Sequence, residues 1–284
     1  MKNLLKSFLL FSLSFSTLFG ATLDEAKSIY NKRAVNSEGF SNARLAAKLG
    51  EEIGQNQENS PNISAAGYLV ACKSLFFLGD YLPVSRSEKK DEYKNSYDLC
   101  QKGIHLIELS KGNARKEEWN GILADLYFFY TSSFGRWFED ESKLRALGYW
   151  KDDVKPILEL LEGKAAMNNI FAYGPLRALG RAYFSIPSGR NKAIKYLKEA
   201  YENSLHSSLK VAVYPLTTAY YAEALIAKGD KDEARQILEA TLAVADSGKL
   251  AELHDEAFKL YGEYRWAETV EEINLCREIY NGLI

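Results

Sequence analysis

Residues 179–200 read LGRAYFSIPSGRNKAIKYLKEA, and residues 221–238, which read YAEALIAKGDKDEARQIL, repeat the same pattern. In both stretches a small residue, Gly180 or Ala222, directly follows a bulky one and precedes another by three positions. A residue with little or no side chain lets a packed helix approach closely, and the large neighbours fill the groove between the two helices. The pattern therefore predicts closely packed pairs of helices in this half of the chain.

Each stretch also carries small and bulky residues at helical spacing after a break: Ala193, Leu197 and Ala200 in the first, Ala234 and Leu238 in the second. This order is typical of the tetratricopeptide (TPR) repeat, a helix pair whose apolar face is covered by the next pair. The two copies are 42 residues apart, more than the usual period of about 34, so the array is irregular. We predict an all-α fold, a TPR-like α-solenoid.

Composition and turn signals extend this prediction to the whole chain. Hydrophobic residues make up 46% of the sequence, enough to bury a large core, and the 6 prolines fall at the starts of helical segments or between them. No segment alternates with the period of two that a half-buried strand requires. We predict about twelve helices, the last of them broken near Gly262, at 22–34, 38–55, 62–79, 88–109, 114–138, 142–150, 152–166, 175–186, 191–204, 208–228, 231–246 and 250–282.

Short motifs mark some of the predicted helix starts. Thr22-x-x-Glu25 and Asp230-x-x-Glu233 match the capping box, in which an N-cap side chain and a Glu three residues later satisfy free N–H groups. Ser60, which precedes a proline, is another start signal.

The first twenty residues, MKNLLKSFLLFSLSFSTLFG, have the layout of a secretory signal peptide. A basic start precedes an apolar stretch that is too short for a comfortable membrane span, and small residues follow it. Ala21 stands where a bacterial lipoprotein would have its lipidated cysteine. We expect residues 1–20 to be a cleaved signal peptide, residues 21–284 to form a single domain, and the protein to be exported, soluble and unlipidated. The alternative is a retained N-terminal anchor.

The chain carries few residue patterns that catalyse reactions or bind metals. Its 3 histidines are scattered, and its 3 cysteines show no Cys-x-x-Cys or Cys/His ligand spacing. No G-x-S-x-G, H-E-x-x-H or P-loop motif occurs, so we expect no enzyme, no metal site and no cofactor. The 36 basic and 38 acidic residues nearly balance, which excludes the basic footprint of a nucleic-acid or anionic-membrane binder.

Cys72 lies in an apolar helical run and admits two interpretations. It is either a small core residue or one half of a disulfide, which export would permit, with Cys100 as the better partner. The fold itself requires no disulfide.

The predicted helix at 114–138 is rich in aromatic residues. A stripe at helical spacing runs along it and contains Trp119, Leu123, Leu126, Tyr127, Tyr130, Phe134 and Trp137. Phe128 and Phe129 lie off the stripe, so the helix is apolar nearly all round at this point. Such a helix lies either at the centre of a core or in the wall of an apolar pocket. In the second case the ligand-binding residues are Trp119, Tyr127, Tyr130, Phe134 and Trp137.

A second candidate site lies at 171–183, which reads FAYGPLRALGRAY. A Gly-Pro pair indicates a break followed by a new helix, and Arg177 and Arg181 lie four positions apart on one face of it. Two like charges so close repel each other unless an acidic group faces them. Either each arginine forms a salt bridge with a neighbouring helix, or the pair, with Tyr173, clamps an anion or carboxylate.

Several of these residues together resemble a known family. They are Trp119, Gly135-Arg136-Trp137, the helical run Leu158-Glu159-Leu160-Leu161-Glu162, the stretch Gly174-Pro175-Leu176-Arg177-Ala178-Leu179-Gly180-Arg181-x-Tyr183 with Pro187, and the repeat positions Ala193, Ala222 and Ala234. The set is similar to the TatT family, the TPR-containing T component associated with TRAP transporters. The resemblance spans about residues 60–246.

The resemblance implies a bacterial periplasmic α-solenoid that can associate as a homotrimer. Each protomer would contain an apolar channel or cleft and would dock the TRAP-type solute-binding protein (the P component), helping to deliver a hydrophobic small molecule or lipid. Family members are often lipoproteins, and Ala21 departs from that pattern. The alternative function is a periplasmic TPR scaffold that binds a protein or peptide and takes no small molecule.

Overall fold

The computed structural model describes residues 21–110, 116–139, 143–163, 169–262 and 264–283, with the backbone alone described at 116–120, 143, 144, 146 and 187. The predicted signal peptide lies outside the described residues. Within them every regular element is helical, which confirms the all-α prediction, and one isolated extended bridge joins Leu205 and Ala212. The chain forms two compact units, Met1–Asp140 and Glu141–Ile284. The single domain over 21–284 stays a prediction.

The first unit contains helices α1 to α5, which are Leu23–Tyr30, Ser37–Gln55, Pro61–Tyr81, Arg86–Leu109 and Lys116–Phe138. Each packs on the next along the chain, and α3 is central because it also contacts α1 and α5. By length and hydropathy α3 could cross a membrane, but 78% of its apolar window is buried inside the protein. Such burial is typical of a core helix.

Capping side chains fix the helix starts in the first unit. The Oγ of Ser60 accepts the N–H of Ile63 at the start of α3, which confirms the predicted start signal. Thr22 accepts the N–H of Glu25 at 3.2 Å. A full capping box forms at Ser85 and Glu88, a start that the sequence analysis did not identify.

Small residues let helices meet backbone to backbone in this unit too. A Cβ added at Gly50 of α2 would lie 2.6 Å from the carbonyl oxygen of Gly67 of α3. A Cβ at Gly67 would in turn lie 2.8 Å from the carbonyl oxygen of Gly50. Since carbon and oxygen cannot approach so closely, both positions require glycine for α2 and α3 to pack as they do.

The second unit contains helices α6 to α13, which are Lys143–Tyr149, Lys155–Glu162, Gly174–Phe184, Arg190–Asn203, Pro215–Lys228, Lys231–Asp246, Leu250–Tyr261 and Trp266–Asn281. Helices α8 to α11 pack successively on one another, and α13 contacts both α10 and α11. The break predicted near Gly262 is confirmed, because this glycine ends α12 in the left-handed conformation with φ +69°.

The small residues of the repeat pattern are contact positions, as predicted. A Cβ at Gly180 of α8 would lie 2.5 Å from Cγ of Leu197 of α9. The other small and bulky positions of the two stretches are buried, and they are Leu179, Tyr183, Ala193, Leu197, Ala200, Tyr221, Ala222, Leu225, Ala234 and Leu238. The contacts therefore form where the sequence pattern places them.

Two predictions about local structure in this unit are wrong. The helix predicted at 208–228 begins only at Pro215, because a residue before proline is driven out of the helical conformation, and Tyr214 is extended. The capping box at Asp230 does not form, since this side chain makes no cap and its carboxylate lies 2.8 Å from Nζ of Lys228. Glu233 instead accepts the hydroxyl of Tyr221 at 2.7 Å.

The helix predicted at 152–166 starts with a π-helical turn, Trp150–Val154, and continues as α7. Proline at 156 explains the wider turn, because it has no N–H to give to the carbonyl four residues earlier. The N–H of Lys155 reaches back five residues to the carbonyl of Trp150. Residues 164–166 of this prediction lie outside the described residues.

Candidate functional site

Four aromatic rings from α4 and α5 meet in the first unit. We call Tyr97 of α4 and Tyr130, Phe134 and Trp137 of α5 the ring cluster. The centroid of the Tyr97 ring lies 6.0 Å from that of Tyr130, 5.2 Å from that of Phe134 and 5.6 Å from that of Trp137. Edge-to-face contacts of this kind are favourable. The stripe predicted on α5 is therefore completed by a tyrosine of the neighbouring helix.

The ring cluster is only partly covered. Helical spacing stacks Phe134 against Tyr130 at 5.9 Å and against Trp137 at 5.7 Å. Phe134 is 7% exposed, whereas Tyr97, Tyr130 and Trp137 are half-buried. The cluster thus combines a buried ring with three rings that retain accessible apolar surface.

Two lysines of α4 lie over the rings of the cluster. Nζ of Lys90 is 5.7 Å from the Trp137 ring centroid, and Nζ of Lys94 is 5.5 Å from that of Tyr97. Ammonium groups at this distance are attracted to ring faces. Lys94 also pairs with Asp98 at 2.7 Å, and this contact raises its pKa. Two ammonium groups therefore lie against the rings, and one of them, that of Lys94, has a carboxylate partner.

The rest of the aromatic run on α5 faces other partners. Tyr127 is half-buried and donates its hydroxyl to Glu108 of α4 at 2.7 Å. Burial, followed by this hydrogen bond, raises its pKa. Phe129 is 7% exposed and packs edge-on against Phe76 of α3 at 5.5 Å. Thus Tyr127 and Phe129 join α5 to its neighbours, and the side chain of Trp119 lies outside the described residues.

Buried ties between α3, α4 and α5 hold the ring cluster in place. A disulfide joins Cys72 of α3 to Cys100 of α4, which decides between the two interpretations of Cys72. Ser96, one residue before the central tyrosine, donates to the carbonyl of Cys72 at 2.8 Å and shares a 2.7 Å hydrogen bond with Ser133 of α5. Because these groups are buried, the contacts fix the register of three helices directly beneath the rings.

Arg177 of α8 lies inside the second unit. It is 5% exposed, and burial lowers its pKa. Its guanidinium donates to the carbonyls of Phe171 and Ala172 at 3.1–3.2 Å and to the hydroxyl of Thr217 of α10 at 3.1 Å. All these acceptors are neutral, so the side chain serves as a hydrogen-bonding centre between a turn and a neighbouring helix.

A second arginine shares an aromatic neighbour with Arg177. The guanidinium carbon of Arg265 lies 4.2 Å from the ring centroid of Tyr214, and that of Arg177 lies 5.5 Å from it. Arg265 forms an ion pair with Glu272 of α13 at 2.6 Å. Glu272 therefore neutralises Arg265 directly, and its charge also acts on Arg177 at longer range.

Arg181 has separate partners from Arg177. It forms an ion pair with Glu223 of α10, and its guanidinium carbon lies 4.6 Å from the ring centroid of Tyr220. Both arginines thus contact groups of their own unit, which favours internal contacts over the anion clamp. Tyr173 is half-buried directly before α8, and its side chain makes no cap to that helix.

The loop before α10 contains a cluster of titratable groups that sequence analysis did not single out. Nε2 of His206 lies 3.1 Å from Glu256 of α12, and Ser207 gives both its N–H and its hydroxyl to the same carboxylate at 2.7 Å. Nδ1 of the histidine accepts the N–H groups of Ser208 and Leu209 at 3.1–3.2 Å. Through these contacts the ring anchors the loop to α12.

The candidate site residues from the sequence divide between the units. Tyr130, Phe134 and Trp137 come together in the ring cluster of the first unit, and Tyr173, Arg177 and Arg181 lie in the second. Tyr97 was not among the predicted site residues, because its helix is rich in charge and its apolar spacing is weak. Among the described residues no group of three or more His, Cys, Asp or Glu side chains could hold a metal ion. In comparisons with protein-family models, curated proteins and solved structures, the chain gave no significant match.

Proposed function

We propose that the protein is an exported, TPR-like accessory protein that binds an apolar or amphipathic small molecule at the ring cluster. The observation that carries this proposal is the set of half-buried rings with Lys90 and Lys94 over two of them. Aromatic walls with a few polar groups at one end are the usual composition of small-molecule sites. The two ammonium groups favour a molecule with an anionic head and an apolar tail.

The other parts of the proposal are the TPR-like array, the export of the protein and its place in a TRAP-type uptake system. Positions that match the TPR pattern are buried helix contacts, which supports a TPR-like array. The Cys72–Cys100 disulfide supports export, because disulfides persist in oxidising compartments such as the periplasm. Through its resemblance to the TatT family, we assign the protein to a TRAP-type uptake system, as a trimer that docks the solute-binding protein.

Dodecanoate and its neutral counterpart dodecanol are suitable probes of the ring cluster. Isothermal titration should show tighter binding of dodecanoate, and Trp137→Ala should weaken it about tenfold or more because a large apolar surface is lost. Phe129→Leu on the same helix is the matched control, since this ring packs against Phe76 instead. Absence of binding, or equal loss in both variants at equal stability, would contradict the proposal.

Lys90→Gln with Lys94→Gln tests the charged edge separately. The double variant should weaken the binding of dodecanoate and leave the binding of dodecanol unchanged. Lys48→Gln is the control, at an exposed lysine of α2 that pairs with Glu52, and it should change the binding of neither probe. Native mass spectrometry of the purified protein then checks for a co-purified molecule and for the trimer.

The docking of a protein partner is supported by apolar residues at the end of α12 and the start of α13. Phe258 is 47% exposed, Leu260 56% and Trp266 39%. Exposed apolar groups close together in sequence are typical of interaction surfaces. Phe258→Ser with Trp266→Ser should abolish capture of a TRAP-type solute-binding protein, whereas Leu45→Ser, at a position 44% exposed in the first unit, should not. Unchanged capture by the double variant would remove this function.

A further inference from the structure

The turn before α8 has an unusual backbone. Phe171, Ala172 and Tyr173 have φ angles of +48°, +51° and +60°, so three successive residues with a Cβ are left-handed. This conformation brings the Cβ close to the following carbonyl oxygen, and residues other than glycine adopt it singly rather than in series. The turn is therefore strained, and other contacts must keep it closed.

Arg177 supplies those contacts. Its Nη1 donates to the carbonyls of Phe171 and Ala172, and its Nη2 donates to Phe171 again. No carboxylate forms an ion pair with this guanidinium among the described residues, so the carbonyl dipoles and Thr217, together with the Tyr214 ring and the more distant Glu272, stabilise its buried charge. The strained turn and the buried cation thus depend on each other.

We propose that residues 171–173 form a latch, a local two-state element that Arg177 holds closed and that opens while the rest of the second unit stays folded. Opening loses the hydrogen bonds to Arg177 and the burial of Phe171 and Ala172, but it releases the strain of three left-handed residues. The strain opposes these losses, so opening requires less free energy than it would in an unstrained turn. Thr217 connects the closed state to α10, and release of the turn frees the guanidinium from its carbonyl partners. This proposal is independent of ligand binding at the ring cluster.

The amide of Gly174 reports the state of the latch. Its N–H donates to the carbonyl of Ile170 at 2.9 Å, a hydrogen bond that spans all three left-handed residues. The amide of Leu197, in the middle of α9, reports opening of the unit as a whole. Native-state hydrogen exchange followed by NMR should show exchange at Gly174 at least tenfold faster than at Leu197, after correction for intrinsic rates.

Arg177→Lys keeps the positive charge but removes the planar fork that reaches two carbonyls. It should raise the exchange rate at Gly174 about tenfold further and change that at Leu197 much less. Equal rates at the two amides in the parent protein, or a parallel rise at both in the variant, would show that the turn opens only when the unit unfolds.

Ala172→Gly tests the strain without altering Arg177. Glycine adopts positive φ at little cost, so the strain relieved should offset the loss of one methyl group. Ala193→Gly is the matched control, since both alanines are 0% exposed and Ala193 lies in a regular helix. The Tm should fall by several degrees for Ala193→Gly and stay within about one degree of the parent for Ala172→Gly. Equal falls in Tm would overturn the proposal.

Discussion

Lys94 of the first unit and Arg177 of the second both lie against aromatic rings, but at different depths. Lys94 is exposed at the edge of the ring cluster, next to its partner Asp98. Arg177 is buried, and it gives its hydrogen bonds to two backbone carbonyls and to Thr217. A cation at the rim remains able to meet a ligand, whereas one inside is committed to the fold. Depth therefore separates the binding candidate from the structural element.

Removal of the disulfide should lower the stability of the first unit more than any other change proposed for it. Replacing Cys72 and Cys100 with alanine removes a cross-link between residues 28 positions apart. The free energy of unfolding in urea should fall by about 3–4 kcal/mol, because the unfolded chain regains conformational freedom. Cys276→Ala is the control, a buried thiol whose pKa burial raises to about 12. Its loss should be about 1 kcal/mol, and a similar loss in the two cases would mean that the cross-link does not support the ring cluster.

Arg177→Met gives the corresponding measurement in the second unit. Two backbone carbonyls and Thr217 would lose their donor, so we expect the free energy of unfolding to fall by about 3 kcal/mol. Arg181→Met should cost less than about 1 kcal/mol, since that side chain is 43% exposed. Denaturant melts of the two variants compare the stability that a buried arginine contributes with the stability that a partly exposed arginine contributes. If both cost the same, depth does not distinguish the two arginines.

Gly180→Leu tests a close helix contact of the second unit against an open helix position of the first. The added side chain would collide with Leu197, and overpacking of this kind should cost about 2 kcal/mol. In the first unit Gly135→Ala is the control, because nothing lies within 4 Å of an added Cβ there. That variant should be neutral or slightly stabilising through helix propensity. Thermal melts in which Gly180→Leu is neutral would contradict the helix pairing.

The smallest expected effect is on alkaline stability. Tyr127 in the first unit and Tyr221 in the second donate to carboxylates of neighbouring helices, and burial raises both pKa values. The folded protein therefore holds these protons at pH values where the unfolded chain, whose tyrosines have the ordinary pKa of about 10, releases them. Their contribution to stability is complete below about pH 10 and is lost as the pH rises further. In urea melts at about pH 9 to 11, Tyr127→Phe and Tyr221→Phe should each make the fall of the unfolding free energy with pH less steep. An unchanged slope of that free energy against pH would contradict the prediction.

Part of the fold could be predicted because it depends on local chemistry. Helix boundaries at Ser60 and Gly262 follow from capping and turn preferences, and the close contact at Gly180 follows from side-chain size. The predicted start of α10 is wrong although a local rule applies there, since Pro215 excludes a helix through position 214. At Asp230 the motif is present, but its carboxylate lies near Lys228 instead. Local motifs are thus overridden where a competing partner lies close.

The candidate site was less predictable, because its residues come from different helices. The aromatic stripe of α5 identified three rings, but nothing in the sequence links them to Tyr97, which lies 33 to 40 positions away on a charge-rich helix. The position of Arg177 was equally hidden. Its spacing from Arg181 suggested a shared role, and only the packing shows that the two guanidinium groups have different partners.

The amino-acid sequence by itself determined the helical class, most helix positions and the small residues at which helices meet, because periodicity, capping and side-chain size act over a few neighbouring residues. Only the tertiary structure decided that Cys72 joins Cys100, that Tyr97 completes the ring cluster and that Arg177 holds a left-handed turn. Those outcomes depend on which helix faces which and at what depth. Burial then fixes what each group does, since a charge or ring behaves differently inside the protein and at its edge.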